Sequence, residues 1–194
     1  MKMETDRLIL RQWKSGDYQS YAELCSDAHV MRYFLAPLSR EESYEQANKI
    51  QSLISERGWG FWAVELKETG QFIGFVGLHN QDENSGFPNA PFIEIGWRLS
   101  SEFWGLGYAP EAAQKALQFA FEEINAPSVY AFTTLQNLPS QRVMLKLGMV
   151  NMNQDFSHPR NSGWKNLHNK RLKRDCQRAA FPVPMSRGGC SCCV

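Results

Sequence analysis

Residues Phe103-Trp104-Gly105-Leu106-Gly107-Tyr108-Ala109-Pro110-Glu111-Ala112 set two glycines directly before a helix opening. Glycine lets backbone N–H groups turn inward and approach a ligand closely. The helix behind it adds the positive end of its dipole and its unpaired first-turn amides. That combination suits a phosphate or a diphosphate. A P-loop is ruled out, because it needs Gly-Lys-Ser/Thr at the helix start. A dinucleotide fingerprint would need glycine at position 110, where the chain has Pro110. Other chemistry-bearing side chains form no such pattern. His29, His79, His158 and His168 lack metal or triad spacing. Cys25 reads as a small core residue. Cys190, Cys192 and Cys193 crowd together without a histidine partner, so no metal is expected. An odd total of five cysteines argues against a disulfide framework.

The elements that would hold the glycine turn follow from periodicity and turn signals. Thr5 to Trp13 alternates as an opening strand, and Ser15-Gly16-Asp17 starts a helix. Ser39 and Glu42 form a capping box, predicting a helix to Gly58. Trp59 to Leu66 and Gln71 to His79 flank Lys67-Glu68-Thr69-Gly70, a hairpin turn. Phe92 to Leu99 is the next strand, and Pro110 and Glu111 open a helix. Val129 to Thr134 is a strand, Pro139 to Leu147 a helix stopped by Gly148, and Met149 to Phe156 a further strand. The order predicts a mixed α/β sandwich: a mostly antiparallel sheet, flanked by helices, with one strand–helix–strand crossover near its centre.

Composition fits one domain. The chain has 194 residues, 43% hydrophobic and 21% charged, enough for a proper core. No stretch approaches the ~18 apolar residues of a membrane span. The charged N-terminus lacks the apolar centre of a signal peptide, which predicts a cytoplasmic protein. Charge is uneven. Residues 1–159 carry 13 Lys/Arg against 19 Asp/Glu, whereas 160–194 carry 8 against the single acid Asp175. A mildly acidic body tolerates a cationic substrate. The basic end reads as a solvated tail, which disfavours nucleic-acid binding as the main role.

The segment WGLGYAPEA resembles the pyrophosphate-binding motif of the GCN5-related N-acetyltransferase (GNAT) superfamily, whose pattern is Gln/Arg-x-x-Gly-x-Gly/Ala. Here Gly107 and Ala109 take the last two places and Trp104 the first. Tryptophan there is usual in the RimJ/RimL-like branch. The opening TDRLILR, the run Gln71 to Leu78, Glu94-Ile95-Gly96-Trp97-Arg98-Leu99, and Asn137 through Met149 are similar to that branch's patterns in its order. The resemblance spans about residues 3–158 and gives a GNAT domain over 1–158.

The resemblance implies transfer of acetyl from acetyl-CoA to a primary amine by direct attack, with no metal. The acceptor is a protein N-terminus or a small amine, and the chain acts as a monomer or homodimer. Trp104, Gly105, Leu106, Gly107, Tyr108 and Ala109 would hold the diphosphate. The backbone of Trp97, Arg98 and Leu99 would meet the thioester oxygen, with the Arg98 side chain facing solvent. Asn137 would bind the pantetheine arm. Glu94, between Ile93 and Ile95, is the expected base. Ser140 is the expected proton donor to the departing thiolate, and it also reads as an N-cap or first-turn residue of its helix, two roles that can hold together.

After His158-Pro159 the resemblance ends. Residues 159–194 lack an alternating apolar strand and are expected to be a poorly ordered, basic, Cys-ended tail. A shifted reading frame near residue 160 and a true lineage-specific tail both fit this ending. The alternative function is a non-catalytic acyl-CoA-binding module inactivated by that C-terminus.

Overall fold

The computed structural model describes residues 2–154, 156–157 and 168–175. His158 and, within the predicted tail, residues 159–167 and 176–194, with Cys176, Cys190, Cys192 and Cys193, lie outside the described residues.

The strands are β1 (Lys2–Glu4), β2 (Leu8–Arg11), β3 (Phe61–Leu66), β4 (Phe72–Gln81), β5 (Phe92–Leu99), β6 (Ser128–Thr134), β7 (Val150–Asn151), β8 (Phe156–Ser157) and β9 (His168–Asp175). The helices are α1 (Asp17–Ser26), α2 (Ala28–Met31), α3 (Arg40–Arg57), α4 (Tyr108–Glu122) and α5 (Leu138–Lys146). The sheet runs β1-β2-β3-β4-β5-β6-β9-β7, with β8 also on β9. Every described pairing is antiparallel except β5 with β6.

Alternation along the strands sends successive side chains to opposite faces. One face carries Trp62, Val76 and Trp97 in register, and α4 covers it. Ala112, Ala113, Ala116, Leu117 and Ala120 form the inner side of α4, small enough to bring the helix close, while Trp62 meets Phe119 edge-on. The other face carries Phe61, Phe75, Glu94 and Arg98 and is roofed by α1. The Ser39–Glu42 capping box opens α3, and Gly58, at φ +82°, closes it.

A buried ion cluster fastens α1 to the sheet. Arg11 grips both oxygens of Asp17 at 2.7 and 2.8 Å and donates to Glu65 at 2.6 Å. Burial alone would raise the Glu65 carboxyl. Hydrogen bonds from Arg11 and Lys14 outweigh that and hold it below its ordinary 4.5. A carboxyl depressed in the folded state stabilises the fold above its unfolded value and loses that contribution as pH falls through its folded value. The urea midpoint should therefore drop below about pH 4.5, with Glu65→Gln flattening that drop. An unchanged slope in the variant would remove Glu65 from the account.

Two elements depart from the expectation. The opening strand is a hairpin, with β1 pairing β2 across a turn in which the Thr5 N–H donates to Leu8 at 3.0 Å. More consequentially, His168–Asp175 is a strand, where a tail without strand structure was expected. It pairs with β6 from Ser128↔Asp175 to Thr134↔Asn169. Its sequence, HNKRLKRD, has one apolar residue and no alternation. The ladder rests on backbone hydrogen bonds along the β6 edge.

Candidate active site

β5 and β6 pair only at Ile93↔Val129 and Glu94↔Tyr130. Beyond this, β5 stays with β4 as far as Leu99↔Gly74, and β6 stays with β9 as far as Thr134↔Asn169. The two parallel strands thus part while each keeps its other neighbour, opening a wedge in the sheet. Backbone groups alternate in direction along a strand. The Ser100 N–H donates to Ile73 at 3.0 Å, so even-numbered β5 residues bond toward β4. The N–H groups of Trp97 and Leu99 therefore point into the wedge. That of Arg98 belongs to the β4 ladder.

Both helices that follow these strands begin at the open end of the wedge, because β5 and β6 are parallel and run into α4 and α5. At α4, Gly105 (φ +79°) and Gly107 (φ +85°) hold conformations that cost other residues about 1–2 kcal/mol. Gly107 is the N-cap and offers no side chain to the first turn. Among the described residues, the amides of 105–109 meet no acceptor. A chain that leaves successive donors bare at a helix N-terminus presents an anion cradle.

The loop is braced from both sides. The Trp104 indole donates to the Leu99 carbonyl at 2.8 Å, and its ring lies 5.1 Å from that of His29. Trp104 thus positions the turn with its side chain. On the other side Arg7 donates to the Leu106 carbonyl at 3.0 Å and to Glu111 at 2.7 Å, and its guanidinium covers the Tyr108 ring at 4.4 Å. Burial would raise the Glu111 carboxyl, but hydrogen bonds from Thr5 and Arg7 hold it below its ordinary value.

At α5, the Asn137 side-chain oxygen accepts the Ser140 N–H at 3.2 Å and caps the helix. Its amide NH₂ remains available to donate. Ser140 is a half-buried first-turn residue, and no hydrogen bond is formed by its hydroxyl among the described residues.

Glu94 sits on the α1-covered face, opposite His79 in register. Gln81 donates to its carboxylate. Its Oε1 lies 3.9 Å from where a β-carbon on Gly96 would stand, and the Phe61 ring comes within 3.1 Å of that point. Glycine at 96 therefore lets the Phe61 ring pack down onto β5 beside the carboxylate.

The structure brings Trp97, Leu99, residues 105–109, Asn137 and Ser140 to one end of the parting strands, with Glu94 alongside. It corrects the Arg98 side chain, which was expected in solvent. That side chain turns beneath α1, donating to Tyr21, Cys25 and Gln46 at 3.2 to 3.3 Å. Strand alternation gives its face, and only the roof of α1 makes that face an interior. Gln81 and the Arg7–Glu111 clamp were not anticipated. The opposite charges of the TDR opening and of Glu111 were the available signal.

Residues 7–150 match the family model described as an acetyltransferase (GNAT) domain. The chain belongs to the GNAT acetyltransferase family. Its GNAT domain is 31% identical over 150 residues to the uncharacterized N-acetyltransferase YnaD of Bacillus subtilis, covering 77% of this chain and 82% of that one. A GNAT-family acetyltransferase from Bacillus anthracis shares the fold with a TM-score of 0.76 and 24% identity, over 91% of this chain and 99% of that one. Spermidine N-acetyltransferase from Vibrio cholerae, solved with CoA and spermine, superposes with a TM-score of 0.69 and 21% identity, over 89% of this chain and 98% of its own. Members of the GNAT family are acyltransferases, and this chain is one.

Proposed function

We propose that the protein transfers acetyl from acetyl-CoA to a primary amine by direct attack in a ternary complex, as a RimJ/RimL-like member of its family. The observation carrying this reading is the wedge between β5 and β6, with bare amides at its mouth. The donors fit the group. A diphosphate matches the amides of residues 105–109, and a linear amide-bearing arm matches a cleft edged by strand backbone. When bound, acetyl-CoA supplies an activated acyl group.

The chain's own residues divide the remaining work. Asn137 donates its NH₂ to the arm. The N–H groups of Trp97 and Leu99 stabilise the negative charge that develops on the carbonyl oxygen. Glu94 accepts the proton of the attacking amine, directly or through one water. Ser140 gives its hydroxyl proton to the departing sulfur. Both a small amine, such as the one named for the Vibrio cholerae neighbour, and a protein N-terminus suit a half-buried carboxylate.

Calorimetric titration with acetyl-CoA, followed by thiol release with a panel of amines, tests the reading. The expected result is saturable binding, weakened about tenfold or more in Gly107→Val through the φ penalty and crowding of the cradle. Thiol release should accompany at least one amine. Binding without release across the panel would instead make the chain a non-catalytic acyl-CoA-binding module. Absence of binding would sink both.

A further inference from the structure

The peptide that joins Leu106 to Gly107 faces two ways. It is planar and trans, so its carbonyl and its N–H point to opposite sides. Arg7 Nη1 donates to that carbonyl at 3.0 Å. The Gly107 N–H is therefore aimed away from Arg7, and among the described residues it meets no acceptor. Nothing within the turn fixes that direction. Gly105 and Gly107, at φ +79° and +85°, flank the peptide, and glycine enters either hand of backbone with similar ease. Leu106 is 53% exposed, so its side chain has little packing to hold the turn. Rotation of this one peptide would put a carbonyl oxygen, repulsive to any anion, where the N–H now lies. The bond from Arg7 opposes that rotation.

Arg7 is itself held in place. Glu111 Oε2 accepts from its Nε at 2.7 Å and lies 2.6 Å from its Nη2, while Oε1 accepts from Thr5 Oγ1 at 2.6 Å and from the Arg7 backbone N–H at 3.1 Å. The Tyr108 ring covers the guanidinium at 4.4 Å, and Nη2 stands 3.4 Å from where a β-carbon on Gly107 would be. The guanidinium thus backs directly onto the turn. With the Arg7 side chain 47% exposed, the ion pair contributes little to stability. Its consequence lies in orientation, and a cation on the carbonyl also polarises the peptide and strengthens its N–H as a donor.

We propose that Arg7 is a positioning residue for the coenzyme: through the Leu106 carbonyl it holds the Gly107 N–H turned toward the diphosphate. Glu111 and Thr5 set the guanidinium, the guanidinium sets the peptide, and the peptide meets the ligand. This rests on the acetyl-transfer reading.

Calorimetric titration of coenzyme A into wild type, Arg7→Gln and Arg7→Lys tests it, independently of the acceptor. Arg7→Gln should bind about 10- to 100-fold more weakly. Arg7→Lys keeps the charge and a donor for Leu106 but cannot fork across Glu111 as well, and it should recover part of the affinity. The ratio of wild-type to Arg7→Gln affinity should hold from about 0.1 M to about 1 M salt, over which the screening length falls from about 10 Å to about 3 Å. In amide spectra the Gly107 N–H should shift on coenzyme A binding in the wild-type protein and much less in Arg7→Gln. With a reactive amine, KM for acetyl-CoA should rise while kcat stays the same, because the diphosphate is held alike before and during reaction. Wild-type affinity in Arg7→Gln, a gap that closes at high salt, a Gly107 shift equal in both proteins, or a fall in kcat with KM unchanged would each overturn the proposal, with wild-type coenzyme A binding in place. A wild-type protein without affinity for coenzyme A fails the acetyl-transfer reading and this proposal with it.

Discussion

Glu94→Gln is expected to lower kcat by about 10²- to 10⁴-fold, the range a positioned general base contributes. The substitution keeps the shape and an oxygen for Gln81 to donate to, so the β5 ladder and the coenzyme A cradle should be unaffected. The size of the loss depends on the acceptor. An α-amino group with pKa ~8 is already roughly a tenth neutral at pH 7, whereas a lysine-type amine near ~10.4 is almost wholly charged. The gap between wild type and variant should be widest at low pH and close as the amine deprotonates unaided. Rate–pH profiles of both proteins with one reactive acceptor supply the measurement. A constant gap across pH would mean that Glu94 positions the amine without taking its proton. No loss at all would remove Glu94 from the chemistry.

Gly77→Ala should destabilise the fold by more than about 3 kcal/mol, beyond ordinary overpacking, because the obstacle is backbone. A β-carbon at Gly77 would stand 2.0 Å from the Gly60 carbonyl oxygen and 2.7 Å from the Phe61 α-carbon. Relief requires β3 to move off β4, which breaks the ladder that aligns Phe61 with Gly77 and Gly96. In a domain of this size the melting temperature should fall by roughly 10 °C. Gly70→Ala is the control: its φ of +71° is unfavourable for alanine, but nothing lies within 4 Å of the added carbon. Circular-dichroism melts of the two variants separate contact from conformation. A Gly77→Ala midpoint at or above that of Gly70→Ala contradicts the close approach of the strands.

The central strands and helices were legible because their signals are local. Phe92–Leu99 alternates, Ser39 and Glu42 sit at capping distance, and Gly105 and Gly107 precede a helix. What escaped the sequence depends on partners distant in the chain. β9 carries almost no apolar pattern, and its existence follows from the free edge of β6. Trp104 was assigned to the ligand from its place in a motif, while its indole N–H is spent on Leu99, five residues back. Arg98 was expected in solvent because an arginine usually is, and its burial reflects a helix some seventy residues earlier.

The insertion of β9 between β6 and β7 also has a bearing on synthesis. A nascent chain that has emerged as far as β8 holds β6 with one side unsatisfied, because the strand that fills it comes later. For that interval the growing protein displays a bare ladder of donors and acceptors to any neighbouring polypeptide, the condition under which ribosome-bound chains mispair with one another. The lysines and arginines of His168–Asp175 make that late strand unlike the apolar segments that aggregate readily, so the strand that arrives last is a poor partner for strangers.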